Sequence, residues 1–183
     1  MKKVTQILLF VLVISSLSSC SNILLKQYRQ KEFTIDTKGN TYVSKQIISK
    51  EVDDFTIHAT IEFKKSYRDN ASGWAGFFIK TDNPNGKHRE DYGYLLYVRE
   101  DGEIGFHTSP PYNKEIQKNN YDYPIASSKK RDVIIRSKNS EIQFLVDNNL
   151  VYKVENLKLK GKYISANAGA CISTFEINSI KKN

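Results

Sequence analysis

Two cysteines, one methionine and three histidines in 183 residues leave little material for sulfur or imidazole chemistry. Cys20 and Cys171 are the sole candidates for a disulfide, which excludes the multiply bridged scaffold of small secreted domains. His58, His88 and His107 stand at no paired spacing, so no zinc motif exists and no metal is expected. Residues 82–86 and Asp69-Asn70 could offer oxygens to calcium, but Asp, Asn and Gly are equally what turns require. Nucleophile-elbow, phosphate-loop and dinucleotide-binding signatures are missing, and no cofactor is expected. Four prolines and nine glycines are too few for a Pro-rich or Gly-rich linker, so a division into two domains has no support. After the first twenty residues, no long apolar stripe of 3.6-residue period occurs, which argues against a helical bundle.

What is present begins with an address. Lys2 and Lys3 precede an apolar run over residues 4–14, followed by small residues up to Cys20. This is the three-part layout of a secretory signal, and the run is shorter than the roughly 20 residues that span a bilayer. Leu17-Ser18-Ser19-Cys20 resembles the bacterial lipobox. The resemblance implies cleavage after Ser19 and acylation of Cys20, which would anchor the chain on the extracytoplasmic side of the cell envelope. Two or more acyl chains give a stable anchor where one does not. The expected organisation is a signal peptide over 1–19, a lipidated tether over 20–31 and one β-sandwich over 32–183. With Cys20 acylated, Cys171 has no partner in the chain, and its setting between Ala170 and Ile172 suits a small buried hydrophobe.

Loss of residues 1–19 removes two lysines and no acid, lowering the formal charge from +8 to +6. Basic residues cluster at Lys129-Lys130-Arg131, at Lys158, Lys160 and Lys162, and at Lys181-Lys182. They fit a solvated surface, or attraction to anionic lipid, wall polymer or acidic glycan. An exported chain without a recognition motif is not expected to bind nucleic acid.

Alternation of period two dominates the remainder. Phe55, Ile57, Ala59, Ile61 and Phe63 share one face, with Thr56, His58, Thr60 and Glu62 on the other. Further strands are expected over 33–36, 42–49, 74–80, 92–99, 104–108, 132–137, 142–146, 150–155, 163–168 and 174–180, all rich in β-formers. Turn residues punctuate them, at Asp101-Gly102, Asn139-Ser140 and Asp147-Asn148-Asn149. Ten or eleven short strands predict an all-β sandwich or barrel.

The order of these features resembles the concanavalin A-like lectin/glucanase jelly roll. The resemblance runs from Phe33 to Ile180 and lies nearest the laminin-G-like and 3-keto-disaccharide hydrolase-type domains. It rests on the alternating strand 54–63, Trp-Ala-Gly-Phe-Phe-Ile-Lys at 74–80, Tyr-Gly-Tyr-Leu-Leu-Tyr-Val-Arg at 92–99, the Asp101-Gly102 hairpin and the paired strands around 147–149. It implies a two-sheet antiparallel sandwich with one concave face, often used to bind carbohydrate. Catalytic glucanases carry Glu-x-Asp-x-x-Glu. Here Glu51-Val52-Asp53 supplies only its first half, and Thr56 stands where the second Glu belongs, so no catalytic residue is assigned.

Continuing the polar phase from Thr56, His58, Thr60 and Glu62 onto neighbouring strands adds Lys80, Arg99, Glu103 and His107. The same phase carries Trp74, Phe78 and Tyr97 outward. Aromatic rings can cover the C–H face of a sugar while charged groups bind its hydroxyls. The candidate ligand face is therefore Trp74, His58, Glu62, Lys80, Tyr97, Arg99, Glu103 and His107. Trp74 and Phe78 could instead fill the core, because the apolar run 75–79 does not fix its own register. A loop carrying Tyr112, Tyr121 and Tyr123 could form a rim. The expected function is non-catalytic recognition of a glycan by an envelope-anchored lipoprotein. The alternatives are a keto-disaccharide-type hydrolase using Glu62 and Glu103, or a structural adaptor. Replacing Cys20→Ala should abolish incorporation of labelled fatty acid and release or mis-process the chain; labelling that persists in the variant ends the lipoprotein expectation.

Overall fold

The computed structural model describes residues 31–39, 42–48, 50–68, 72–109, 117–120 and 127–183, with the backbone alone at 117–120. The signal segment, Cys20, the tether, Asp69-Asn70, Tyr112, Tyr121 and Tyr123 lie outside these residues. Twelve strands and no helix make up the described chain. They are β1 (Glu32–Asp36), β2 (Val43–Gln46), β3 (Phe55–Ser66), β4 (Trp74–Thr81), β5 (Gly93–Arg99), β6 (Ile104–Ser109), β7 (Gln117–Asn120), β8 (Lys130–Lys138), β9 (Glu141–Val146), β10 (Asn149–Val154), β11 (Tyr163–Gly169) and β12 (Cys171–Lys182).

Two six-stranded antiparallel sheets form, in the orders β1-β12-β3-β8-β9-β10 and β2-β11-β4-β5-β6-β7. The expected sandwich is thus present, with β7 added at an edge. Sheet one buries one face. Phe175 pairs with Ile61, Ile57 with Ile135, and Ile135 with Phe144, while the alternate residues look outward. Sheet two supplies Ala75, Phe77, Ile79, Tyr94, Leu96, Val98, Ile104, Phe106, Ile164, Ala166 and Ala168 to the same core. Phe175 ties the layers together. It stacks on Phe33 at 5.3 Å within its own sheet and meets Phe77 of the other sheet edge-on at 5.7 Å.

The tight turns follow their sequences. Asn139 and Ser140 both take positive φ (50° and 66°), as do Asp147 and Asn148 (50° and 65°), the geometry that lets a two-residue hairpin match strand twist. The Asp147 carboxylate accepts the Asp132 amide at 2.9 Å and the guanidinium of buried Arg131, also at 2.9 Å. Cys171 is a buried free thiol, and burial pushes its pKa up to about 11, so it packs as an apolar group rather than reacting as a thiolate.

Phe175 is fully buried, and truncating a core aromatic costs about 3–5 kcal/mol. Phe175→Ala should lose that much stability in urea unfolding; a loss under about 1 kcal/mol would show that the two layers do not meet at this ring.

Candidate functional site

Sheet two is apolar on both faces. Alternation along β4 and β5 sends Phe77, Ile79, Leu96 and Val98 inward, and Trp74, Phe78, Leu95 and Tyr97 outward. The outward four form a second cluster, with Phe78, Leu95 and Tyr97 buried and Trp74 half-buried against them. The register stacks this face in rows, with Trp74 opposite Arg99, and Phe78 opposite Leu95, which in turn faces His107. Glycines make the room. A Cβ on Gly105 would lie 2.0 Å from the Tyr97 ring, and one on Gly93 would lie 2.5 Å from the tip of Phe78.

Phe78 is therefore both outward-pointing and fully buried, because the β4–β5 loop folds back over it. Side chains of the sheet hold that loop by its backbone. Ser165 Oγ donates to the Gly86 carbonyl at 2.6 Å, and Asn167 Nδ2 donates to the same oxygen at 3.1 Å. Asn167 Oδ1 accepts the His88 amide at 3.2 Å. On the far side, Ser109 Oγ accepts the Arg89 amide at 2.7 Å. The loop so placed stands His88 edge-on to Trp74, ring centres 5.9 Å apart.

Between this loop and the β5–β6 hairpin lies a cavity of about 180 Å³. Trp74, Leu95, Tyr97 and His107 form its aromatic and apolar part, with Trp74 and Tyr97 centred 5.8 Å apart and Tyr97 and His107 5.3 Å apart. Arg99 and Glu103 bound it at the hairpin. Glu103 is buried and accepts from Tyr97 Oη at 2.6 Å and from Arg99, whose other amino group reaches Asp101. The Glu103 amide donates to Asp101 Oδ1 at 3.1 Å, which closes the turn. The carboxylate is thereby fixed in orientation, each oxygen accepting one bond. Arg68, Ser72, His88 and Arg89 complete the lining.

Five of the eight sequence-derived residues, Trp74, Tyr97, Arg99, Glu103 and His107, meet at this cavity. The other three do not. His58 and Glu62 project from β3 on the outer face of sheet one, where His58 meets Asp132 at 2.8 Å and Glu62 accepts from Lys64. That hydrogen bond lowers the Glu62 pKa. Period two fixes the phase of a strand but not its sheet, and β3 lies in the opposite layer. Lys80 is the extra residue of a bulge, since Thr81 and Ile79 pair with the consecutive residues Tyr163 and Ile164. It takes φ 54° and donates to the Asp53 carbonyl at the end of β4 away from Trp74. Glu51 pairs with Lys162 at 3.3 Å and lies outside any strand. In the 82–86 turn, Asn83 Nδ2 donates to the Asp91 carboxylate at 3.2 Å, and its Oδ1 accepts the Asn85 amide at 3.0 Å. No group of three or more metal-ligating side chains occurs among the described residues.

With this geometry in hand, solved structures place the fold. The domain is similar to the carbohydrate-binding module CBM66 from Bacillus subtilis, with TM-score 0.63 and 16% identity over 86% of this chain and 98% of that one. The chain has a two-sheet antiparallel jelly-roll fold. It is also similar to a galectin, LEC-6 of Caenorhabditis elegans, with TM-score 0.53 and 8% identity over 82% of this chain and 98% of that chain. A fructosyltransferase from A. japonicus matches with TM-score 0.55 and 12% identity over 84% of this chain, but over only 26% of its own length. No protein-family model matches the sequence, and no curated protein matches it either.

His88 carries a pH signature. Burial pushes its pKa from 6.5 down to about 4, helped by the neighbouring Arg89 and then His107. Between those values the unfolded imidazole binds a proton that the folded one does not. Its contribution to stability is complete above pH 6.5 and falls as the pH drops toward 4, by at most about 3 kcal/mol. His88→Phe should flatten that part of the pH–stability curve in urea unfolding at pH 7 and pH 4.5; an unchanged slope would assign the titration to another group.

Proposed function

We propose that this chain is an envelope-anchored lipoprotein whose β-sandwich binds a glycan, without catalysis, at the Trp74–Tyr97–Glu103 cavity. The carrying observation is the buried Glu103 carboxylate, held by Tyr97 and Arg99 beside the half-buried Trp74 ring. This combination supplies what a sugar ring asks for: a flat surface for its C–H face and an oriented acceptor for adjacent hydroxyls. The volume of about 180 Å³ lies below the 300–1,000 Å³ typical of small-molecule pockets, which favours one sugar unit at a chain end over a long stretch of polymer. Likeness in fold to a carbohydrate-binding module and a galectin supports the same reading.

The anchoring half rests on the Lys2–Cys20 segment. The direction of β1 is compatible with it, since Asp36 at its far end meets Tyr67 near Arg68, and Glu32 lies farther from the cavity. A tether preceding β1 would then leave the cavity facing away from the membrane.

A hydrolase of the keto-disaccharide type is the rival. It would need two carboxylates flanking one glycosidic bond. Glu62 lies on β3 of sheet one and Glu103 in the β5–β6 turn of sheet two, and the neighbouring acid Asp101 shares Arg99 with Glu103.

Trp74→Ala should weaken glycan binding several-fold to about tenfold, on the scale of 0.5–1.5 kcal/mol for an aromatic contact. The melting temperature should change far less than for a core aromatic. Calorimetric titration of hits from a glycan array, alongside a melt of the same variant, separates the two effects. A variant that melts early yet binds normally when folded would return Trp74 to a packing role and remove the main anchor.

A further inference from the structure

We infer that the cavity selects a sugar residue bearing a carboxylate, gripped by Arg68 and Arg89. This rests on the cavity being a sugar site and names the class of sugar it takes.

The charge balance is the starting point. Three arginines, Arg68, Arg89 and Arg99, line the cavity against one acidic residue, Glu103. Arg99 is already committed to Glu103 and Asp101. Among the described residues, neither the Arg68 nor the Arg89 side chain has an ion-pair or hydrogen-bond partner, although the main chain of each is fixed. Ser66 Oγ donates to the Arg68 carbonyl at 2.9 Å and accepts its amide at 3.3 Å. Ser109 holds the Arg89 amide. The two arginines reach one cavity from unrelated loops, one leaving sheet one after β3 and the other lying on sheet two.

Two further features separate this pair from ordinary surface charge. Arg89 stands at φ 73°, a left-handed conformation that Gly or Asn would take at lower cost, so a long cationic side chain is kept where the backbone disfavours it. In the same lining, Arg99 Nε and His88 Nδ1 are buried without a partner.

A planar carboxylate matches a guanidinium fork with two parallel hydrogen bonds, and pairing with a charged acceptor strengthens both. It is also the smallest acidic group a sugar ring carries, which matters in a cavity of about 180 Å³. A neutral sugar would use the Trp74 ring and Glu103 but leave Arg68 and Arg89 idle.

The test titrates the full-length chain in detergent with uronic-acid oligosaccharides and a sialylated trisaccharide, each against its carboxyl methyl ester. Esterification keeps the ring and removes the charge. Affinity should fall tenfold or more on esterification, and more at 50 mM than at 500 mM salt. Arg68→Gln with Arg89→Gln should erase the acid–ester difference within each pair. Both side chains are exposed and unpaired, so the double variant should melt like the wild type. Equal binding of acid and ester, with Trp74→Ala still weakening both, overturns the acidic assignment and leaves the sugar reading intact. Preference for a sulfated glycan over every carboxylated one overturns it too. Failure of all acidic and neutral glycans to bind ends both readings together.

Discussion

Everything at the candidate site depends on one clamp: Ser165 and Asn167 of β11 on one side, and Ser109 of β6 on the other, gripping the main chain of the β4–β5 loop. Those four hydrogen-bonding groups stand on the sheet that carries Phe78 and Leu95. Without them Phe78 and Leu95 would face water, and burying each such side chain contributes about 1.5–3 kcal/mol. The clamp therefore stabilises the fold and shapes the cavity in one step. Gly86 and Gly93 sit where the Phe78 ring leaves no space for a side chain.

The Arg99–Glu103 pair is the second determinant. It lies at the mouth of the β5–β6 hairpin, with Glu103 buried and Arg99 mostly so. Pairs of this kind add little net stability against an apolar replacement, yet removing one partner strands a buried charge. Their value here is orientation. The guanidinium holds Glu103 and Asp101 together, Tyr97 takes the remaining Glu103 oxygen, and Gly105 makes room for the tyrosine ring. Two neighbouring side chains, Tyr97 and Arg99, thus keep one carboxylate from rotating. A recognition site needs such fixed acceptors, since a mobile one would lose its rotamer freedom on every binding event.

Sheet one was the more legible layer. Its strands bury a single face, so Phe55 to Phe63 alternate visibly in sequence, while the apolar runs Val133–Ile135 and Phe144–Val146 alternate in burial alone. Sheet two is covered on both faces, and its strands read as unbroken apolar runs such as Ala75–Ile79, which carry no phase of their own. Phe78 exposes the false choice between core and surface, since it points outward and is buried by a loop. Alternation groups His58 and Glu62 with Trp74 because it assigns a face to each strand and is silent on which sheet the strand joins, and it groups Lys80 with Trp74 because a bulge leaves no mark on the period. β7, Gln-Lys-Asn-Asn, has no apolar residue and forms only as a partner to β6. Arg68, Ser72, His88 and Arg89 escaped notice because loop residues have no period. The available signal was Ser165 and Asn167, two polar residues on one face of an otherwise apolar strand, which require partners from elsewhere in the fold.

Because the clamp holds Gly86, His88 and Arg89 by their peptide groups, the loop's location is independent of most of its side chains. Arg89 and Glu90, both exposed, can change identity over evolutionary time without unfastening the segment, provided Gly86 stays small and Asp91 keeps its bonds to the Lys87 amide and Asn83. The chemistry of the cavity rim is thereby separable from foldability, and descendants of one sandwich can diversify at a few rim residues over an unaltered aromatic floor.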